Sequence, residues 1–333
     1  MKTREIFLAK RPVGMPTRSD FGLREIELDS AADGEVLVKT LWLSVDPYMR
    51  GRMSGIKSYI APFEINEPIN GGGIGQVVSS AGSVFGPGDF VASNFRWREF
   101  DVISEGHLKK VDPDQAPLSA HLGVLGMPGL TAFVGMRRIG DLRPSDMVFV
   151  SAAAGAVGSV AGQIAKISGA TVIGSAGSDD KVRALLAKGF DAAFNYKDRP
   201  VSDALKELAP DGLDLYFDNV GGEHLEGAIS NMANFGRIVM CGAISQYNLT
   251  LPPAGPSNLS LVISKRLTLK GFIVSDHSDM QESFLAEATS WLRHGKLSFD
   301  ETVREGLEAA PDAFIEMLEG ANLGKMLVRV GEI

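Results

Sequence analysis

The chain has 333 residues, 44% hydrophobic and 22% charged, with a net charge of −8. No basic stretch interleaved with aromatics occurs, which argues against nucleic acid, and an acidic surface repels anionic lipid. The length suits two domains, and the lone cysteine, Cys241, excludes an intrachain disulfide framework and suits a reducing compartment.

To about residue 120 the pattern is one of short strands and glycine or proline turns: candidate strands at 35–45 and 71–79, a turn at 86–89, and a new strand from 90. That rhythm predicts a barrel-like β domain. Residues 120–140 look helical, interrupted by Gly126, Pro128 and Gly129. From 147 the rhythm changes. Strands are predicted at 147–151, 171–176, 192–195, 214–218, 236–241 and 267–273, with helices at 157–168, 179–188, 201–208 and 222–232 between them. Such alternation predicts a doubly wound parallel sheet with helices on both faces. A helix at 279–294 closes this domain. The tail (strand 299–304, helix 310–319, strand 325–330) has no place in the alternation and is assigned back to the first domain. The expected boundaries are therefore 1–120 completed by 297–333, and 121–296.

The segment 147–183 carries the most chemistry. An apolar strand runs into a small-residue turn, Ala153, Gly155 and Gly158, and then into helical spacing at Val160, Ile164 and Ile167. Such a turn lets the backbone approach a pyrophosphate, and the helix start binds its charge. The first glycine of the usual fingerprint is here Ala153, and a plain tight turn is the competing reading. The next strand ends in GSAGS (174–178), with no carboxylate for a ribose hydroxyl. Asp179 and Asp180 read as first-turn helix residues. Lys181 follows them, and two roles are open to it: an ion pair with a phosphate on the adenosine ribose, which selects NADP over NAD, or a solvated helix lysine.

Absences narrow the chemistry further. The histidines (His107, His121, His224, His277, His294) have no metal-ligand spacing, and one cysteine cannot build a cysteine zinc site. No tyrosine precedes a lysine by four positions, and neither a nucleophile elbow nor a phosphate-binding P-loop is present. No apolar run reaches membrane-spanning length and the N-terminus lacks a signal-peptide core, so cytoplasmic residence is the expectation.

The segments LSVDPYMRGRM (43–53), GMPGLTAF (126–133), AAAGAVGSVAGQIAK (152–166), GSDDK (177–181), GFDAAFNYK (189–197), YFDNVGG (216–222), CGAISQYN (241–248), GFIV (271–274) and NLGKMLV (322–328) together resemble the zinc-independent medium-chain dehydrogenases/reductases. Within them, the resemblance is to the group of prostaglandin reductases, plant alkenal double-bond reductases and bacterial curcumin-type reductases. It implies a GroES-like β-barrel domain beside a Rossmann domain, NADPH as cofactor, and reduction of the carbon–carbon double bond of α,β-unsaturated ketones and aldehydes. It implies that Gly155, Ala156, Val157 and Gly158 contact the pyrophosphate, and that Lys181 with Tyr196 holds the adenosine phosphate. Asn219, then Cys241, Gly242, Ala243, Ile244, Ser245 and Tyr247, then Phe272, Ile273, Val274 and Asn322, complete the cofactor site, with Thr131 near the nicotinamide. A homodimer is the family expectation.

Hydride addition to an enone leaves negative charge on the carbonyl oxygen, which hydrogen-bond donors must stabilise in the absence of a metal. Tyr247 and Tyr48 are the candidate donors, with Arg50 and Tyr59 as further pocket residues. Tyr48 reads equally as a rim residue that packs against substrate. The amides of 241–245 follow a strand end and are expected to line the ligand crevice. Plainer readings stand beside these: Cys241 as a small buried residue, Asn219 as a turn former, Phe272 as core, Tyr196 as a half-buried strand residue. A quinone oxidoreductase of the same superfamily is the rival activity, and a non-catalytic NADPH-binding protein the rival of another class.

Overall fold

A computed structural model describes residues 1–332. The chain divides into two compact units, one formed by Met1–Leu122, Glu301–Asn322 and Met326 onward, the other by Gly123–Asp300 with Leu323–Lys325.

In the first unit a hairpin, β1 (Lys2–Leu8) and β2 (Phe21–Glu27), precedes β3 (Glu35–Ser44), α1 (Tyr48–Met53), β4 (Asn70–Ser80), β5 (Phe90–Arg96), β6 (Phe100–Ser104) and β7 (Lys109–Lys110). The second unit follows with α2 (Met127–Val134), β8 (Met147–Val150), α3 (Ala156–Ile167), β9 (Thr171–Ala176), α4 (Asp179–Ala187), β10 (Ala192–Asn195) and α5 (Val201–Leu208). It continues through β11 (Leu213–Asp218), α6 (Gly222–Asn231), β12 (Met232–Met240), α7 (Ser260–Ser264), β13 (Thr268–Gly271) and α8 (Gln281–Arg293). The tail supplies β14 (Glu301–Glu305), α9 (Ala310–Leu318) and β15 (Lys325–Arg329).

The tail completes the first unit's seven-stranded sheet, ordered β14-β15-β3-β4-β5-β7 with β6 also on β3. Leu327 pairs with Ser44 in antiparallel register, and Phe314 of α9 packs edge-on against Phe21 at 6.3 Å. This core also encloses a charge network. Glu5, with no exposed surface, meets Arg24 at 2.6 Å and Arg98 at 2.5 Å, and buried Asp101 meets Arg96 at 2.6 Å and Arg98 at 3.2 Å. Each carboxylate therefore keeps partners that offset its desolvation.

The second unit is a six-stranded parallel sheet in the order β10-β9-β8-β11-β12-β13. Its middle strands are buried on both faces, so they read as continuous apolar runs. Phe149 stacks on Tyr216 at 4.8 Å and on Phe194 at 5.9 Å. Strand order reverses between β8 and β11, the point at whose carboxyl side open sheets of this kind bind ligands. Among the described residues no helix is long and apolar enough to cross a membrane.

Candidate functional site

After β8 the chain turns through Ala152, held at φ +46°, and enters α3 with Gly155 as its N-cap. Ala156, Val157 and Gly158 fill the first helical turn, where backbone amides have no intrahelical acceptor and form an anion-binding end. A side chain at Gly158 would press into the Ala152 carbonyl and stand 2.8 Å from the Ala153 Cα, so only glycine lets helix and strand close. Ala153 itself is fully buried, with its amide on the Ser175 carbonyl at 2.9 Å, and its methyl faces Gly174, where a Cβ would come within 3.0 Å of it, so the glycine on β9 makes room for a methyl where the fingerprint has glycine. The turn is braced by Leu323–Lys325: the Gly324 amide donates to the Ala154 carbonyl at 2.8 Å. Gly324 has φ +67°, and a Cβ there would collide with the Asp300 carbonyl.

The residues expected at the adenosine end lie beyond β9. Ser178 caps α4, and Lys181 sits in its first turn, half-buried. Burial, and then the ammonium of Lys197, push the Lys181 pKa down. Tyr196 follows β10, its amide on the Ala176 carbonyl at 3.1 Å. The Tyr196 ring meets the edge of His224 at 4.8 Å. His224 is 5% exposed, its Nε2 has no partner among the described residues, and burial drives its pKa down to about 4. It is therefore an uncharged support under Tyr196 at neutral pH.

At the carboxyl end of β11, Asp218 organises the loop that follows. Its Oδ1 accepts from the Tyr216 hydroxyl at 2.6 Å and from the Gly221 and Val220 amides at 2.8 and 2.9 Å. Burial outweighs these bonds and raises its pKa. Asn219 donates its side-chain amide to the Ser151 carbonyl at 2.7 Å, so this residue is both turn former and tie between two strand ends. The 241–247 loop departs from the expectation. Cys241 and Gly242 amides donate to the Asp218 carbonyl (2.9 and 3.0 Å), Ile244 to Asn219 and Ser245 to Val220 (both 3.2 Å), and Ala243 to the Tyr247 hydroxyl at 3.3 Å. All but the Ala243 amide zip one loop to the other, because unpaired amides at one strand end find the carbonyls of its neighbour. These amides already have acceptors within the protein rather than standing open at the strand end. The Cys241 residue is half-buried but its sulfur lies inside, and burial followed by Asp218 pushes its pKa up to about 12, which fits the packing role. Burial also raises the Tyr247 hydroxyl, leaving it a proton-bearing donor.

Thr131, buried on α2, spends its hydroxyl hydrogen on the Met127 carbonyl at 2.8 Å. Phe272, Ile273 and Val274 are half-buried, and the Phe272 ring lies beside Gly135. Asn322 directly precedes the brace at 323–325.

In the first unit, Tyr48 opens α1 directly after Pro47. Burial, and then Asp46, raise its hydroxyl pKa, while the Arg52 guanidinium opposes them. Arg52 is one turn away on the same helix and is fixed by the Ala61 carbonyl and Asn70 Oδ1, both at 2.9 Å, and by the Phe63 ring at 3.8 Å. Arg50 instead anchors the N-terminal loop, donating to the Gly14 carbonyl at 2.8 Å, so its guanidinium is committed to the fold. Tyr59 is 62% exposed.

Lys197, His224, Arg52 and Asp218 were not singled out by sequence reasoning. The i,i+4 spacing of Tyr48 and Arg52 was the one readable signal among them.

A glycine-turned Rossmann unit, in a chain that also carries two tyrosines kept protonated by burial, defines a nucleotide-dependent oxidoreductase. Among the described residues no group of three or more histidine, cysteine, aspartate or glutamate side chains is arranged to hold a metal. A family described as the N-terminal domain of oxidoreductase matches residues 4–111, and one described as zinc-binding dehydrogenase matches residues 156–290. Prostaglandin reductase 1 of Bos taurus is 45% identical over 97% of both chains. The NADP(+)-dependent 2-alkenal reductase of Nicotiana tabacum is 41% identical over 99% of this chain and 98% of its own. The solved structure of CurA in complex with NADPH, from Vibrio vulnificus, superposes with a TM-score of 0.93 at 39% identity, covering 99% of this chain and 100% of that one. The chain belongs to the medium-chain dehydrogenase/reductase family, with its GroES-like and Rossmann domains.

Proposed function

We propose that this protein is an NADPH-dependent reductase of the carbon–carbon double bond of α,β-unsaturated ketones and aldehydes. The observation that carries this reading is whole-length kinship with a 2-alkenal reductase, 41% identical over 99% of the chain. The site chemistry supports it: β9 ends without a carboxylate, and the first turn of α4 that follows carries a lysine suited to a cofactor with an extra phosphate.

When bound, NADPH supplies the hydride for the β-carbon. Gly155 to Gly158 hold its pyrophosphate, and Lys181 with Tyr196 its adenosine phosphate. Asn219, the 241–247 loop, Phe272 to Val274 and Asn322 line the remainder, and Thr131 offers an oxygen lone pair toward the nicotinamide. Tyr48 and Tyr247 keep their protons at neutral pH, so each can donate a hydrogen bond to the enolate oxygen as charge develops there. Tyr59 borders the substrate; Arg50 shapes the pocket through the loop it anchors.

The protein acts as a homodimer in the cytoplasm. In support, β13 ends the parallel sheet with an open edge, Leu249, Leu251 and Ile263 are exposed, and the lone thiol suits a reducing compartment. Light scattering should return twice 35.5 kDa. The activity is tested by following NADPH absorbance against a panel of enones, alkenals and quinones. Consumption with enones, yielding the saturated carbonyl, is the expected result. Turnover confined to quinones, or NADPH binding without turnover, would replace this reading. Lys181→Ala should raise KM for NADPH and leave NADH use unchanged, and Tyr247→Phe should lower kcat more than it raises KM.

A further inference from the structure

We infer that Lys197 is a second cation of the adenosine-phosphate site, acting with Lys181 and the Tyr196 hydroxyl to select NADPH over NADH. The inference rests on the NADPH reading above and extends it to a residue that reading does not use.

Three observations carry it. First, the turn bearing Lys197 is pinned over the start of α4. Tyr196 is bonded to the Ala176 carbonyl at 3.1 Å, and the Asn195 side-chain amide bridges Asp179 at 3.2 Å and Asp198 at 2.7 Å. The Lys197 amide closes onto Asn195 Oδ1 at 3.2 Å. Second, the two side chains converge above a residue with none of its own. A Cβ on Gly177 would lie 3.0 Å from the Tyr196 hydroxyl oxygen and 3.3 Å from the Lys197 Cε, so the missing side chain leaves room at the point where these groups meet. Third, the carboxylates nearby are engaged elsewhere: Asp179 and Asp198 with the Asn195 amide, and Asp180 with Arg183. No carboxylate among the described residues pairs with Lys197, which is exposed and close enough to Lys181 to disfavour its charge. Two ammonium groups that repel each other beside a phenol hydroxyl are poised for a dianion, whose binding relieves the repulsion. His224 fixes the ring that carries the hydroxyl.

The test uses the full-length protein and two probes, 2′,5′-ADP and 5′-ADP, which differ in the 2′-phosphate. Calorimetry on Lys197→Gln should show the 2′,5′-ADP Kd raised about fivefold to tenfold at low salt, with 5′-ADP unchanged. Lys197→Arg should retain most of the affinity. Phosphorus NMR of bound 2′,5′-ADP should show the 2′-phosphate titrating at higher pH in Lys197→Gln than in the parent, because a cation that favours the dianion has gone. If Lys181→Gln moves both readouts and Lys197→Gln moves neither, Lys197 lies outside the site and the NADPH reading survives. If neither variant moves either readout, the adenosine-end assignment fails, and this inference with it. Equal weakening toward both probes would make Lys197 a general attractor of anions and overturn the selectivity claim.

Discussion

Replacing His224 with phenylalanine should make the fold less sensitive to acid. The imidazole is 5% exposed, and burial lowers its pKa from 6.5 to about 4. Below pH 6.5 the unfolded chain therefore takes up a proton that the folded chain refuses, and stability falls with pH until the folded pKa is reached. Linkage over that interval gives a cost of about 0.2 kcal/mol at pH 7 and about 2 kcal/mol at pH 5. Phenylalanine keeps a ring against Tyr196 and carries no titration. Urea unfolding of both proteins at pH 7 and pH 5 isolates the effect, since every other titrating group cancels in the comparison. The variant should gain about 2 kcal/mol on the parent between the two pH values. An unchanged difference, or an imidazole resonance that titrates near 6.5 in the folded protein, would refute the reasoning.

Gly158→Ala pushes a methyl into the Ala152 carbonyl and should cost about 1–3 kcal/mol, read as a lower Tm together with weaker NADPH binding. Arg98→Met removes a cation that Glu5 and Asp101 share and leaves each with one arginine, Arg24 and Arg96; a loss of about 1–3 kcal/mol in denaturant unfolding is expected. The Cys241 thiol, with its pKa near 12, should resist iodoacetamide at pH 8 until the protein unfolds, and mass spectrometry of this one-cysteine chain reads that directly.

The parallel sheet was legible because strands covered on both faces are written as short apolar runs between helical spacings; β8, β9, β10 and β11 fall where those runs lie. The return of the tail to the first unit's sheet followed from its failure to fit the alternation. The hairpin β1–β2 was not legible. Glu5 breaks its apolar pattern, and the charge is acceptable only because Arg24 and Arg98 arrive from distant sequence. Helix α1 was hidden by its length of six residues. The glycine turn and Lys181 were visible as local chemistry. Lys197 and His224 were not, since what distinguishes them is the neighbour each meets in space. The 241–245 amides were misjudged for the same reason: all but one of their acceptors belong to a separate crossover loop, a pairing that neither segment reveals alone.

Gly324 makes the nucleotide-binding half of this molecule a discontinuous object. A gene fragment ending at Asp300 would encode every strand of the parallel sheet, yet it would leave the Ala154 carbonyl without its Gly324 donor and the Asp300 carbonyl without the Lys325 amide that reaches it at 2.9 Å. Anyone wishing to express that half alone would do better to graft residues 323–325 back through a short linker than to trim at the last helix.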